Sequence, residues 1–120
     1  MIDLKKLQKE VHQNKLNKGF NVTDINLEFC YIYEELAEAY QAHRKGLENV
    51  GEEIADVCIY LLGLSEILKI DMEMEILKKI EVNKNRQFKN VKGKWVRLEK
   101  GKKPKVVATS KWVKTNVKKS

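Results

Sequence analysis

Residues 23–68 carry two successive stretches of helical periodicity parted by Lys45-Gly46-Leu47, and nothing else in the chain constrains its fold as strongly. In the first stretch Ile25, Phe29, Ile32, Tyr33, Leu36, Ala39 and Tyr40 recur at helical spacing, which predicts a buried stripe. Thr23 or Asp24 can cap its free N–H groups, and the helix should run to about Arg44. The second stretch opens with Asn49-x-x-Glu52, which has the form of a capping box. It continues to about Leu68 with Ile54, Val57, Cys58, Leu61, Leu64 and Leu68 on one face. A break this short allows the two helices to fold back as an antiparallel hairpin.

The flanks extend the helical reading. Residues 2–15 place Ile2, Leu4, Leu7 and Val11 among lysines as a short amphipathic helix, which Asn17, Gly19 and Asn21 end. Asp71 can cap a fourth helix running to about Arg86, with Met72, Ile76, Leu77 and Ile80 as its packing residues. The expected fold is therefore all-α, a four-helix-type bundle. In the third helix Ile59, Tyr60, Leu62 and Ile67 cover most of what the first apolar face leaves. A helix apolar nearly all round is buried on all sides, which in so small a chain points to a subunit interface. The bundle is thus expected to be completed by oligomerisation, as a homodimer or homotetramer.

From Lys89 onward the helical period disappears. Trp95, Val96 and Leu98 are separated from Val106 and Val107 by Glu99–Pro104, a pattern open to a short β-hairpin or to a disordered basic tail. Charge marks the same boundary: residues 1–88 hold 12 Lys+Arg and 16 Asp+Glu, while residues 89–120 hold 12 and 1. An acidic domain, 1–88, carries a basic tail, 89–120. The longest apolar run, around Val57–Leu64, is too short to span a bilayer, so no membrane partner is expected. The N-terminus lacks a continuous apolar segment of the secretory kind, and Cys30 and Cys58 sit among apolar neighbours as expected buried thiols. Both features point to the cytoplasm.

The chemistry lies at the hairpin's corner. Glu35 and Glu38 end the second helix, and Glu53 and Asp56 begin the third, each pair three residues apart and so on one helix face. In an antiparallel hairpin the four carboxylates converge. Their mutual repulsion is relieved most simply by a divalent cation, and all-oxygen ligation suits Mg²⁺ or Mn²⁺ better than zinc. The competing reading is two solvated acidic faces. On the wheel Glu34 lies nearly opposite the apolar stripe, while Glu28 and Glu35 lie at its edge. Downstream, Lys79, Asn83 and Arg86 form a polar stripe, either a solvated face or a set of partners for a metal-bound polyphosphate. A di-iron bundle is disfavoured because neither His12 nor His43 follows a glutamate by three residues. His12 reads as a surface or boundary residue and His43 as a helix-end cation. A Gly-rich phosphate loop, a Ser/His/Asp arrangement and Cys/His zinc spacing are all absent from the sequence.

These features together resemble the MazG-like, all-α nucleoside triphosphate pyrophosphohydrolase superfamily, which includes the dCTP and dUTP pyrophosphatases. That family's pattern is E-x-x-E, a gap, then E-x-x-D. Here it reads Glu35-Leu-Ala-Glu38, fourteen intervening residues, then Glu53-Ile-Ala-Asp56, followed by the apolar run Val57–Leu62. The resemblance covers about residues 23–88 and leaves the basic tail outside the pattern. It implies hydrolysis of a nucleoside triphosphate to the monophosphate and pyrophosphate. Under that implication Glu35, Glu38, Glu53 and Asp56 hold Mg²⁺, Glu38 takes the proton of the attacking water, and Lys79 and Arg86 clamp the polyphosphate. Asn83 would hydrogen-bond a phosphate or sugar oxygen, and Phe20 or Tyr60 would stack on the base. The alternative from another class is a helical protein that binds nucleic acid through its tail, where two tryptophans stand among a dozen lysines and arginines.

Overall fold

In the computed structural model of the chain, which describes residues 1–98 and the backbone of residues 105–106, four helices precede a small antiparallel sheet. The helices are α1 (Leu4–Lys18), α2 (Ile25–Arg44), α3 (Val50–Ile67) and α4 (Met72–Asn85). The strands are β1 (Gln87–Val91), β2 (Lys94–Leu98) and β3 (Lys105–Val106), in the order β1-β2-β3. The chain divides into two compact units, Met1–Leu77 and Lys78–Ser120, which meet within α4. No helix among the described residues is long and apolar enough to cross a membrane.

Local chemistry sets most helix ends. Asp3 accepts from Lys6 N and Asp24 accepts from Leu27 N, each capping one of the N–H groups its helix leaves free. Asp71 Oδ1 accepts from Met74 N at 3.1 Å and does the same for α4. Gly19 ends α1 with φ of 70°, a left-handed conformation that costs a residue with a Cβ far more. The capping box expected at α3 is not made. Asn49 forms no side-chain cap, and its amide instead donates to Glu53 Oε1 at 3.1 Å, drawn by a charged acceptor one turn on.

Within the first unit α2 packs on α3, and α1 packs on α3. The α2–α3 pair is antiparallel: Glu38 meets Glu53 near the connecting loop, and Tyr31 meets Tyr60 farther from it. α1 crosses α3 at Gly63, where a Cβ would sit 3.4 Å from both Val11 Cγ1 and Lys15 Cδ. The buried line of α1 is not purely apolar. Gln8 and Lys15 are buried, with Leu4 before them and Val11 between them half-buried, whereas Ile2 and Leu7 are exposed. Gln8 Nε2 donates to Glu66 Oε2 at 2.9 Å and to Ile70 O at 2.6 Å, and its Oε1 accepts from Met72 N at 3.3 Å. One amide thereby ties α1 to the end of α3 and the start of α4.

The apolar faces expected to be buried are largely open. In α2 only Ala39 of the seven stripe residues is buried and Ile32 half-buried; Phe29, Leu36, Tyr40 and, at 73% accessibility, Tyr33 are exposed. α3 is buried only at Gly63–Ser65, and Ile54, Cys58, Leu61 and Leu68 are exposed. Of the α4 packing residues, Met72 is half-buried and Ile76, Leu77 and Ile80 are exposed. Both cysteines are exposed free thiols rather than buried ones. The geometry explains this. The inward line of α2 is Glu28, Glu35, Ala39 and Ala42, small and acidic residues beside the apolar stripe, with Tyr31 reaching Tyr60 of α3. Ile25, Phe29, Tyr33, Leu36 and Tyr40 span about a quarter turn to one side of it. Ile54, Cys58, Leu61 and Leu68 do likewise on α3, and antiparallel pairing brings both arcs to the same side of the hairpin. α1 covers the opposite side, since Gly63 is about half a turn around α3 from Leu61.

In the second unit β1 and β2 form a hairpin that the sequence reading missed. Its two-residue turn is Lys92-Gly93, with φ of 51° and 81°, the pair of positive angles that matches the twist of the flanking strands. Asn90 Oδ1 accepts from Gly93 N at 3.0 Å and holds the turn. The pairing expected between residues 95–98 and 106–107 exists in part, since Val96 pairs with Val106 and Arg97 with Lys105. The connecting Glu99–Pro104, Val107 and the rest of the tail, including Trp112, lie outside the described residues.

Candidate metal centre and adjoining pocket

Three of the four expected carboxylates come together. Glu35, Glu38 and Glu53 each offer an oxygen, and these oxygens all lie within 4.8 Å of one another. α2 supplies two of them at i, i+3 and α3 the third, because the antiparallel pairing sets the last turns of one helix beside the first turn of the other. Asp56 stands outside that close trio and is exposed, yet its charge is felt there. The Glu35 carboxyl is pushed above the usual carboxylate range, first by burial and then by the charges of Glu38 and Asp56, with Glu53 adding to them. Its Oε2 is buried and has no hydrogen-bond partner among the described residues. A buried carboxylate oxygen without a donor is costly to keep. A hard divalent cation answers this donor set: oxygen only, three carboxylates in reach, one orphaned lone-pair site, and a fourth acid nearby. Asn49 orients Glu53 through the amide contact described above.

A pocket of about 710 Å³ is lined in part by Tyr60, whose hydroxyl feels the charges of Glu35 and Asp56. Phe20 and Tyr60, the two aromatics singled out from the sequence, both line it, together with Tyr31 and the buried pair Lys15 and Glu28. Tyr31 and Tyr60 meet edge to face, with ring centroids 6.2 Å apart. The Tyr60 hydroxyl is pushed above its ordinary pKa by burial and then by the Glu35 and Glu28 charges, so it stays protonated and able to donate at neutral pH.

Glu28 is the deepest charge in the unit, at 1% accessibility. Lys15 donates to its Oε1 and Asn21 Nδ2 to its Oε2, the latter at 3.0 Å. Asn21 also donates to Asp24 O and accepts from Asp24 N, which locks the α1–α2 loop against the pocket wall. Sequence reasoning missed Lys15, Asn21 and Asn49. For Lys15 a signal existed: it lies four residues after Val11, on the line that also holds Gln8.

Of the remaining expected residues, Glu34 is exposed on α2, His43 is exposed in its last turn, and His12 is half-buried on α1. Lys79, Asn83 and Arg86 belong to the second unit, where Arg86 Nη1 donates to Asn83 Oδ1 at 3.3 Å. No protein-family model, no curated protein and no solved structure matches the chain.

Proposed function

We propose that the chain hydrolyses nucleoside triphosphates to the monophosphate and pyrophosphate with Mg²⁺, Mn²⁺ serving in its place, and that it works as a homodimer or homotetramer. The observation that carries this reading is the trio Glu35, Glu38 and Glu53, with its carboxylate oxygens within 4.8 Å and one buried Glu35 oxygen lacking a partner. Those three, with Asp56, would hold the cation. When bound, it would supply charge neutralisation at the phosphates and a lowered pKa for water. Glu38, the exposed member of the trio, would accept the water's proton. The pocket's volume lies in the range of small-ligand sites, and the faces of Phe20 and Tyr60 suit a flat heterocycle.

The proposed oligomer is supported by the face of the α2–α3 hairpin that the described residues leave uncovered. Ile25, Phe29, Tyr33, Leu36 and Tyr40 of α2 and Ile54, Leu61 and Leu68 of α3 are all exposed on it. Burying one Leu, Ile or Phe side chain stabilises by about 1.5–3 kcal/mol, so this face forfeits an amount comparable to the whole stability of a small domain. A second copy related by a two-fold axis covers it with the same surface.

The test is a panel of nucleotides incubated with Mg²⁺, scoring pyrophosphate against orthophosphate. Pyrophosphate release that stops on chelation is expected. Full-rate turnover by Glu53→Gln together with Glu35→Gln would sink the reading.

A further inference from the structure

We infer that the unit Lys78–Ser120 carries a binding surface for single-stranded nucleic acid, formed by the face of the β1–β2 hairpin that holds Phe88, Trp95 and Arg97. This goes beyond the pyrophosphohydrolase reading and does not rest on it. Residues 1–77 contain 8 Lys+Arg and 15 Asp+Glu, a net −7; residues 78–120 contain 16 and 2, a net +14. The charge divides where the compact units divide. A polyanion would find its counter-charge on one unit only.

Charge alone does not choose a ligand; the strand register narrows it. Phe88 pairs with Arg97 and Asn90 with Trp95, so these four share one face of the hairpin. Lys105 continues the Phe88–Arg97 row in the register of β3. Phe88 is 44% accessible and Trp95 61%, while Val96, on the other face, is buried. Two large rings therefore stand open on one face of the hairpin, which also holds a guanidinium and an amide. Rings in such a setting stack on bases, and a guanidinium or lysine beside them meets the phosphate that follows.

Single strands fit better than a duplex, because bases already stacked and paired present no open faces to Phe88 and Trp95. A membrane surface fits less well. The part of a hairpin that would enter a lipid headgroup layer first is its tip, and here the tip, Lys92-Gly93, carries neither of the two rings.

The experiment uses the full chain and an end-labelled oligothymidylate of about 20 nucleotides, longer than the site of a single small fold. Anisotropy measures affinity at several salt concentrations, beside the duplex of the same length and phosphatidylcholine vesicles containing phosphatidylserine. Both tryptophans of the chain, Trp95 and Trp112, lie in the basic unit, so quenching of their fluorescence reports on that unit. The expected result is salt-sensitive binding to the single strand, tighter than to the duplex or the vesicles. Trp95→Ala and Phe88→Ala should each weaken it about tenfold. Trp95→Phe, which keeps a ring, should bind within about threefold of the native chain. Affinity unchanged in both alanine variants overturns the proposal, as does preference for the duplex or for the anionic vesicles.

Discussion

The first unit buries several ionic and amide groups while leaving many of its large apolar ones exposed, and the second leaves nearly all of both exposed. In residues 1–77 the buried side chains include Gln8, Lys15, Glu28 and Ser65, the first three held by the partners given above and Ser65 Oγ donating to Leu61 O at 2.7 Å. Among the described residues of the second unit only Val96 is buried, and the lysines and rings lie on the surface. The contrast teaches where each unit's specificity resides. A buried ion pair needs its partners in one geometry, so it sets the positions of α1, α2 and the loop between them. A surface of long cations and open rings needs only a stable hairpin beneath it.

The largest effect that would break this comparison lies at the carboxylates. Glu53→Gln should lower Mg²⁺-dependent turnover by about 100-fold or more, since an amide ligates a hard cation poorly and brings no charge. Glu34→Gln, on the exposed side of α2, should change it little. Calorimetric titration with Mg²⁺ alone supplies a readout independent of turnover, and equal binding by both variants would place the centre elsewhere.

Next comes the buried pair. Lys15→Met leaves Glu28 charged and without its main partner, which should destabilise the chain by about 3–5 kcal/mol. Lys15→Met combined with Glu28→Leu should recover much of that loss. Trp95→Ala, at an exposed position, should stay within about 0.5 kcal/mol of the native chain. Urea denaturation of the three proteins compares them directly, and a mild Lys15→Met would show that the pair does not hold α1 and α2 in place.

The open hairpin face predicts association. Sedimentation equilibrium at micromolar concentration should give at least twice the 14.0 kDa chain mass. Leu36→Glu with Leu61→Glu should return it to the monomer, and a native chain sedimenting at 14.0 kDa would overturn the assembly.

The smallest effect is a pH dependence. Glu35 has a raised pKa in the folded chain, so without divalent cations the folded state binds its proton more readily than the unfolded state does. Its charged form therefore costs stability above the folded pKa. That cost is relieved as pH falls through the raised value and is gone below the ordinary value of 4.5. Thermal melts in chelator should show the native chain gaining on Glu35→Gln over that window. A constant difference between the two would mean that Glu35 titrates normally.

Much of this was legible in the residues alone. The α2–α3 hairpin was, because Asp24, the break at Lys45-Gly46 and the helical period are local signals that act within a turn or two of the chain. The convergence of Glu35, Glu38 and Glu53 followed from their spacing once the helices ran antiparallel. The β1–β2 hairpin was not read, because a single Lys92-Gly93 turn in a run of lysines masks a strand pattern.

What the sequence by itself determined is which residues share a face: the apolar arcs of α2 and α3, the acid pairs, and Gln8 in line with Val11 and Lys15. Only the tertiary structure decided which of those faces turned inward. Periodicity sets the angle between residues and not the direction of a neighbour. α2 turns Glu28, Glu35, Ala39 and Ala42 inward, and α1 lies on Gly63 of α3. That choice buries Lys15 and Glu28 together while it leaves Phe29, Tyr33 and Leu36 exposed, because a charge can be buried where its counter-charge arrives with it, and an apolar arc stays open where the described residues bring no apolar surface to it.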